Sequence, residues 1–179
     1  MNFETGHSSQ RAALVALFRD VFSASEGPRE GAAIGTFVNR LLSETPAGDL
    51  RVFCAREGDA LAGCICFSRL DYPEDARRVF LLSPVAVATQ RQGQGVGQAL
   101  LRHGLAALRA EAIEIAMTYG DPAYYGRVGF RPATEAEARP PLPLSMPQGW
   151  LWQALDGSDP RPLAGPSHCV AALRDPGLW

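Results

Sequence analysis

The sequence predicts an α/β domain, and three observations carry that prediction. Val79 to Ala88 is apolar but for Ser83, the pattern of a strand covered on both faces. A glycine turn, Gln92-Gly93-Gln94-Gly95-Val96-Gly97, follows at once and opens an amphipathic segment from Gln98 to Arg109. Ile113, Ile115, Met117 and Tyr119 then alternate as a further strand. Strand, helix and strand in that order are expected to be parallel, with a right-handed crossover.

The remaining elements follow from the same periodicities. Ser8 and Ser9 are placed to cap a helix carrying Ala12, Leu14, Val15, Leu17, Phe18, Val21 and Phe22. Ser23 to Gly31 reads as a break of small residues. Ile34, Phe37, Val38, Leu41 and Leu42 form the apolar stripe of a second helix, which Pro46-Ala47-Gly48-Asp49 ends. Leu50 to Ala55 and Ala60 to Ser68 are two strands joined by a hairpin turn at Glu57-Gly58-Asp59. Pro84 inside the apolar strand removes a ladder donor, so a bulge is expected there. Val96, Leu100, Leu101, Leu105 and Leu108 share one face of the third helix. Pro122 to Arg127 is a short helix with Pro in its first turn. Residues 139 to 149 hold too many prolines for a regular element and read as an extended connector. Trp150 to Asp156 is a last strand, and the four prolines of residues 157 to 179 predict a tail wrapped on the surface.

Composition narrows the function. A chain of 179 residues is one domain by size. Its expected organisation is a domain over residues 1–156 with a Pro/Gly-rich tail, 157–179, packed on it. A net charge of -2 lacks the basic footprint of a nucleic-acid binder. All 17 positive side chains are Arg. The cysteines, at 54, 64, 66 and 169, include no C-x-x-C pair and imply no zinc site. Free buried thiols in a reducing cytoplasm are the expected state. The first ten residues have no apolar core of a secretory signal, and no apolar run is long enough to span a bilayer.

The glycine turn is an anion cradle. Glycine allows dihedrals that a side chain forbids, and the first turn of the following helix leaves N–H groups without partners at the positive end of its dipole. No Lys follows, which excludes a P-loop. Gln98 stands where the dinucleotide fingerprint needs its third glycine, and more than half the chain precedes it. The pattern that remains is Q-x-x-G-x-G, at Gln92, Gly95 and Gly97. It resembles the acyl-CoA pyrophosphate loop of the GNAT superfamily of N-acyltransferases. A second motif stands about thirty residues on, Ala123-Tyr124-Tyr125-Gly126-Arg127-Val128-Gly129-Phe130. It resembles the short helix of that superfamily, where a Tyr precedes Gly-Phe at the register of Tyr125 and Gly129-Phe130. Leu82-Ser83-Pro84-Val85-Ala86-Val87, Gly120-Asp121-Pro122-Ala123-Tyr124-Tyr125 and Gly27-Pro28-Arg29-Glu30 are similar to the bacterial YhbS-like subgroup. The resemblance covers roughly residues 8 to 156.

That resemblance implies a GNAT-like mixed central sheet of about six or seven strands, splayed at a bulge and flanked by about four helices. It implies acetyl-CoA as co-substrate, with the pantetheine arm paired to Val85, Ala86 and Val87. The diphosphate would be held by the backbone of Gln92, Gly93, Gln94, Gly95, Val96 and Gly97. It assigns Tyr125 as general acid to the departing thiolate, and a primary amine of a small molecule or peptide as acceptor. Arg91, Arg127 and Arg131 are candidates for phosphate contacts. Many members carry a Glu on the central strand; Leu82-Ser83-Pro84 offers no carboxylate. Asp121, Glu26 and Glu30 are the carboxylates left to consider, each more readily structural or exposed than catalytic. His7, His103 and His168 belong to no motif. The alternative function is a non-catalytic acyl-CoA-binding regulatory module. A strand edge or the tail leaves room for a homodimer.

Overall fold

The structure, a computed structural model, describes residues 1–179. In chain order it contains β1 (Asn2–Thr5), α1 (Arg11–Glu26), α2 (Pro28–Glu44), β2 (Leu50–Glu57), β3 (Ala60–Asp71) and β4 (Val79–Val87). There follow α3 (Val96–Ala110), β5 (Ile115–Tyr119), α4 (Pro122–Tyr125), β6 (Arg131–Pro132), β7 (Trp150–Ala154) and β8 (His168–Cys169). The strands form one mixed eight-stranded sheet in the order β1-β2-β3-β4-β5-β7-β6, with β8 on β3. β4 and β5 are parallel; the β1–β2, β3–β8, β5–β7 and β6–β7 pairs are antiparallel. The count exceeds the six or seven expected because β1, β6 and β8 carry no apolar alternation. In β1 only Phe3 is even partly covered. No helix is long and apolar enough to cross a membrane.

The chain forms two compact units, one of residues 1–67 and 84–103, the other of 68–83 and 104–179; β3, β4 and α3 run through both. In the first unit, α1 and α2 differ from expectation at both ends. Gln10, not Ser8 or Ser9, is the N-cap of α1, without a side-chain capping bond. The expected break at 23–31 shrinks to Gly27, whose φ of 101° separates two helices that follow at once. The small residues there serve close helix packing. A Cβ on Gly31 would stand 2.5 Å from the Arg19 carbonyl oxygen and 1.9 Å from Ser23 Oγ. Gly31→Ala is therefore expected to destabilise the protein by about 1–3 kcal/mol, the range for overpacking, seen as a lower urea midpoint.

The first unit is cored by Leu14, Phe18, Val38 and Leu41 from the helices and by Phe53, Ile65 and Phe67 from the sheet, all essentially without exposure. All four cysteines of the chain are free and buried. Cys54 Sγ lies 3.9 Å from Cys64 Sγ. His103 stacks on Phe3 at 4.8 Å and meets Phe53 edge-on, and His7 Nε2 lies 3.2 Å from the Leu42 carbonyl oxygen; both are packing residues.

In the second unit, the parallel ladder from Val79↔Ile115 to Leu82↔Thr118 stops just before Ser83-Pro84, while β4 continues to Val87. The proline-rich connector is pinned at both ends. Tyr72 and Ser167 hydroxyls donate to the Arg139 carbonyl at 3.0 and 2.7 Å. At the far end, Met146 N–H donates to the Tyr119 hydroxyl at 2.7 Å and Gly120 N–H to the Gly149 carbonyl at 2.9 Å. Residues 157–179 contribute β8 and bury Leu163, Cys169, Leu173 and Trp179.

Asp75 organises this tail. Its carboxylate accepts from the Arg77 guanidinium at 2.9 and 2.7 Å and from the Ala164 N–H at 3.0 Å. Arg77 in turn donates to the Arg161 and Pro162 carbonyls. Hydrogen bonds from Arg77, with those of two backbone amides, hold the Asp75 carboxyl well below the usual carboxylate range. A depressed carboxyl pKa adds stability above the unfolded value of about 3.9, lost as pH falls through the folded one. Asp75→Asn is expected to cost about 1–2 kcal/mol at pH 7. The gap to the parent protein should start to narrow in denaturation curves taken below about pH 4 and close only as pH falls through the depressed folded value.

Candidate active site

The glycine turn lies in the first unit, between the end of β4 and the start of α3. A single 3-10 turn, Thr89–Arg91, leads into it. Two glutamine side chains staple the turn to the segment before it. Gln92 Nε2 donates to the Val87 carbonyl at 3.1 Å, and Gln94 Nε2 to the Gln90 carbonyl at 2.9 Å. Gly93 and Gly95 have φ of 72° and 79°, where a side chain is strained. A Cβ at either would meet no protein atom within 4 Å. Backbone conformation therefore demands glycine here, and the space beyond it is open. Gln92 to Gly95 are exposed, whereas Val96 and Gly97 are buried in the first turn of α3. The first N–H groups of α3 lack intrahelical partners and carry the positive end of its dipole. Val85 and Val87 are half-buried and Ala86 is buried. Just beyond them, Ala88 N–H donates to the Ala62 carbonyl at 3.0 Å.

Tyr125 closes α4 in the second unit. Asp121 caps that helix, its Oδ1 accepting from Ala123 N–H at 2.8 Å, and Pro122 takes the first position. The Tyr125 ring packs edge-on against Tyr124 at 5.1 Å and Phe130 at 5.9 Å. It also lies under Gly120, where a Cβ would be 2.7 Å from Cε2. Burial pushes the phenol up to about 12, helped by Tyr124 and Asp121 and opposed by a hydrogen bond with the Thr118 side chain. Thr118 is itself fully buried and donates to the Leu82 carbonyl at 3.1 Å. Thr118 lies outside both sequence motifs. Its signal was a lone hydroxyl in the otherwise apolar run Ile115-Ala116-Met117.

The other candidates fall into structural places. Asp121 is a helix cap. Glu26 ends α1 and Glu30 sits in the first turn of α2; both are exposed, and the loop expected to hold them does not exist. Arg91 pairs with Glu57, and Arg131 with Asp159 at 2.6 Å. Arg127 lies in the 3-10 turn after α4 and is exposed. Beside Gly120, also within the second unit, a cavity of ≈ 620 Å³ opens at the end of β5. Tyr119, Met146 and Trp179 line it. The tail residue among them gave no sequence signal, because its partners lie 29 and 60 positions away, at Trp150 and Tyr119.

Comparison with known proteins places the fold and the family. Residues 48–132 match the family model for an acetyltransferase (GNAT) domain. Over 138 residues the chain is 31% identical to the uncharacterized N-acetyltransferase YjhQ of Escherichia coli strain K12, covering 74% of this chain and 76% of that protein. The crystal structure of the GNAT family N-acetyltransferase YhbS from Escherichia coli, in complex with CoA, superposes with a TM-score of 0.80 at 21% identity. It covers 97% of this chain and 92% of that one. A GNAT family acetyltransferase from Brucella melitensis, in complex with acetyl-CoA, gives 0.69 at 22% identity over 96% of both chains. These two structures share the fold. Together with the YjhQ match they lead to one conclusion: the chain belongs to the GNAT family of acetyltransferases.

Proposed function

We propose that this protein transfers the acetyl group of acetyl-CoA to a primary amine of a small molecule or peptide by direct attack, with Tyr125 as the acid that meets the leaving sulfur. The observation that carries the reading is the turn at 92–97. It combines two positive-φ glycines, open space beyond their backbone and the start of a fifteen-residue helix. Relatives of the same fold crystallised with CoA and with acetyl-CoA support it.

Acetyl-CoA supplies the activated acyl group. The chain's own residues bind, orient and manage protons. Backbone amides of Gln92 to Gly97 and the α3 dipole hold the diphosphate, at about 0.3–1 kcal/mol for each exposed interaction and up to ~2 kcal/mol when partly buried. The backbone of Val85 to Val87 pairs with the pantetheine arm. As the N–C bond forms and the C–S bond breaks, the amine loses a proton to solvent, and the sulfur leaves as a thiolate that takes its proton from solvent. Tyr125 stays protonated throughout the neutral range because burial has raised its pKa to about 12. Complete transfer from such a phenol to an alkyl thiolate, whose conjugate acid titrates near 8.5, is uphill by about 5 kcal/mol. Tyr125 therefore acts by a hydrogen bond to the developing thiolate.

A lysine-like amine costs roughly 4–5 kcal/mol to deprotonate at pH 7. No carboxylate stands at Leu82-Ser83-Pro84 to help, so the reactive amine arrives neutral. That same gap is the ground for the second reading, a regulatory module that binds acyl-CoA without transfer. Free-thiol release, measured with acetyl-CoA and a panel of primary amines, separates the two. Sustained turnover with one amine supports transfer; saturable acetyl-CoA binding with no turnover on any amine supports the module. A reducing cytoplasm is the proposed setting, in keeping with four free cysteines.

A further inference from the structure

We infer that the cavity at the end of β5 is the acceptor subsite and that it selects amines carrying a flat apolar group. This deepens the transfer reading and rests on it. The cavity, ≈ 620 Å³, is walled by Tyr119, Pro122, Met146, Leu178 and Trp179. Its size suits a small molecule. Trp179 stacks on Tyr119, centroids 6.2 Å apart and planes at 21°, and meets Trp150 at 6.0 Å. Its indole N–H donates to the Leu173 carbonyl at 2.8 Å, so the ring is fixed before any ligand arrives. Tyr119 is fixed as well: its hydroxyl engages Met146 N–H at 2.7 Å and Ser145 Oγ at 3.1 Å.

Two glycines keep the cavity floor free of side chains. A Cβ on Gly149 would be 3.0 Å from the Gly120 carbonyl oxygen, and one on Gly120 would strike the Tyr125 ring. Gly120 thus joins the cavity to the ring of the proposed acid, which packs against it from the protein side. Charge points the same way. No Arg or His lines the cavity, and Asp121 is its one acidic side chain. One Asp121 oxygen caps α4, which leaves the other to accept from an N–H of the neutral amine. Met146, 59% exposed at the rim, is an uncovered apolar side chain that a ligand ring would cover.

The test uses the full chain and compares phenethylamine with spermidine and an amino sugar, read by free-thiol release. Phenethylamine is expected to have the lowest KM. Trp179→Ala should raise that KM about tenfold or more, as loss of an aromatic wall does, with the KM for acetyl-CoA unchanged. Met146→Arg alters an exposed residue and leaves the core alone. It should raise the phenethylamine KM similarly by adding a cation and removing apolar cover. A lower KM for spermidine or the amino sugar overturns the subsite assignment and leaves acetyl transfer standing. If no amine releases thiol, the transfer reading fails. The cavity is then judged by saturation-transfer NMR with phenethylamine: ring signals lost in Met146→Arg support it, and no signal with the parent protein overturns it.

Discussion

Tyr125→Phe is expected to lower kcat by roughly 10- to 150-fold while leaving the KM for acetyl-CoA within about twofold. The size follows from the kind of interaction removed. A hydrogen bond to a charged group contributes about 1.5–3 kcal/mol, which is that range of rates. Full proton transfer would be worth up to about 10⁴-fold, but a phenol raised to about 12 is too weak an acid to complete it. The sign of the pH dependence follows as well. The raised pKa keeps the proton donor loaded up to about 12. The parent kcat/KM should therefore climb with amine deprotonation and show no alkaline fall between about pH 8 and 10. Phe retains the packing against Tyr124, Phe130 and Gly120, so its thermal midpoint should stay close to that of the parent. Unchanged kcat on an amine that the parent acetylates would remove Tyr125 from the chemistry.

Gly95→Val is expected to weaken acetyl-CoA binding by about 100-fold, or roughly 2.7 kcal/mol. Two effects combine. A β-branched residue at φ 79° is strained by about 1–3 kcal/mol, which shifts the turn away from the geometry that presents its amides. Its side chain would also fill the space that is open beyond the backbone. Since a Cβ there would meet no protein atom within 4 Å, the stability loss is the backbone strain, and loss of binding adds to it. Equilibrium dialysis with labelled acetyl-CoA, paired with a urea curve, separates the two.

Much of the fold was legible because its central elements have strong periodicity. The apolar run at β4, the leucine stripe of α3 and the alternation of β5 each match their observed element to within about two residues. The motif residues around the turn and α4 were legible for a related reason: glycine spacing and a Pro after an Asp cap are local signals. What escaped was set by partners distant in sequence. Ser23 and Gly31 looked like a break because small residues mark turns and close helix contacts alike. Strand β1 is an edge with one partly covered side chain, so only pairing with β2 defines it. Thr118 matters through Leu82 and Tyr125, and Trp179 through Tyr119 and Trp150; no window of adjacent residues contains those pairs.

Titration calorimetry of acetyl-CoA into the full chain, repeated with Gly95→Val, is the most direct test. Saturable heat at one site per chain, strongly weakened by the substitution, is the outcome that a diphosphate held on bared amides requires. No saturable heat with the folded parent protein, or curves that the valine leaves unaltered, would contradict it.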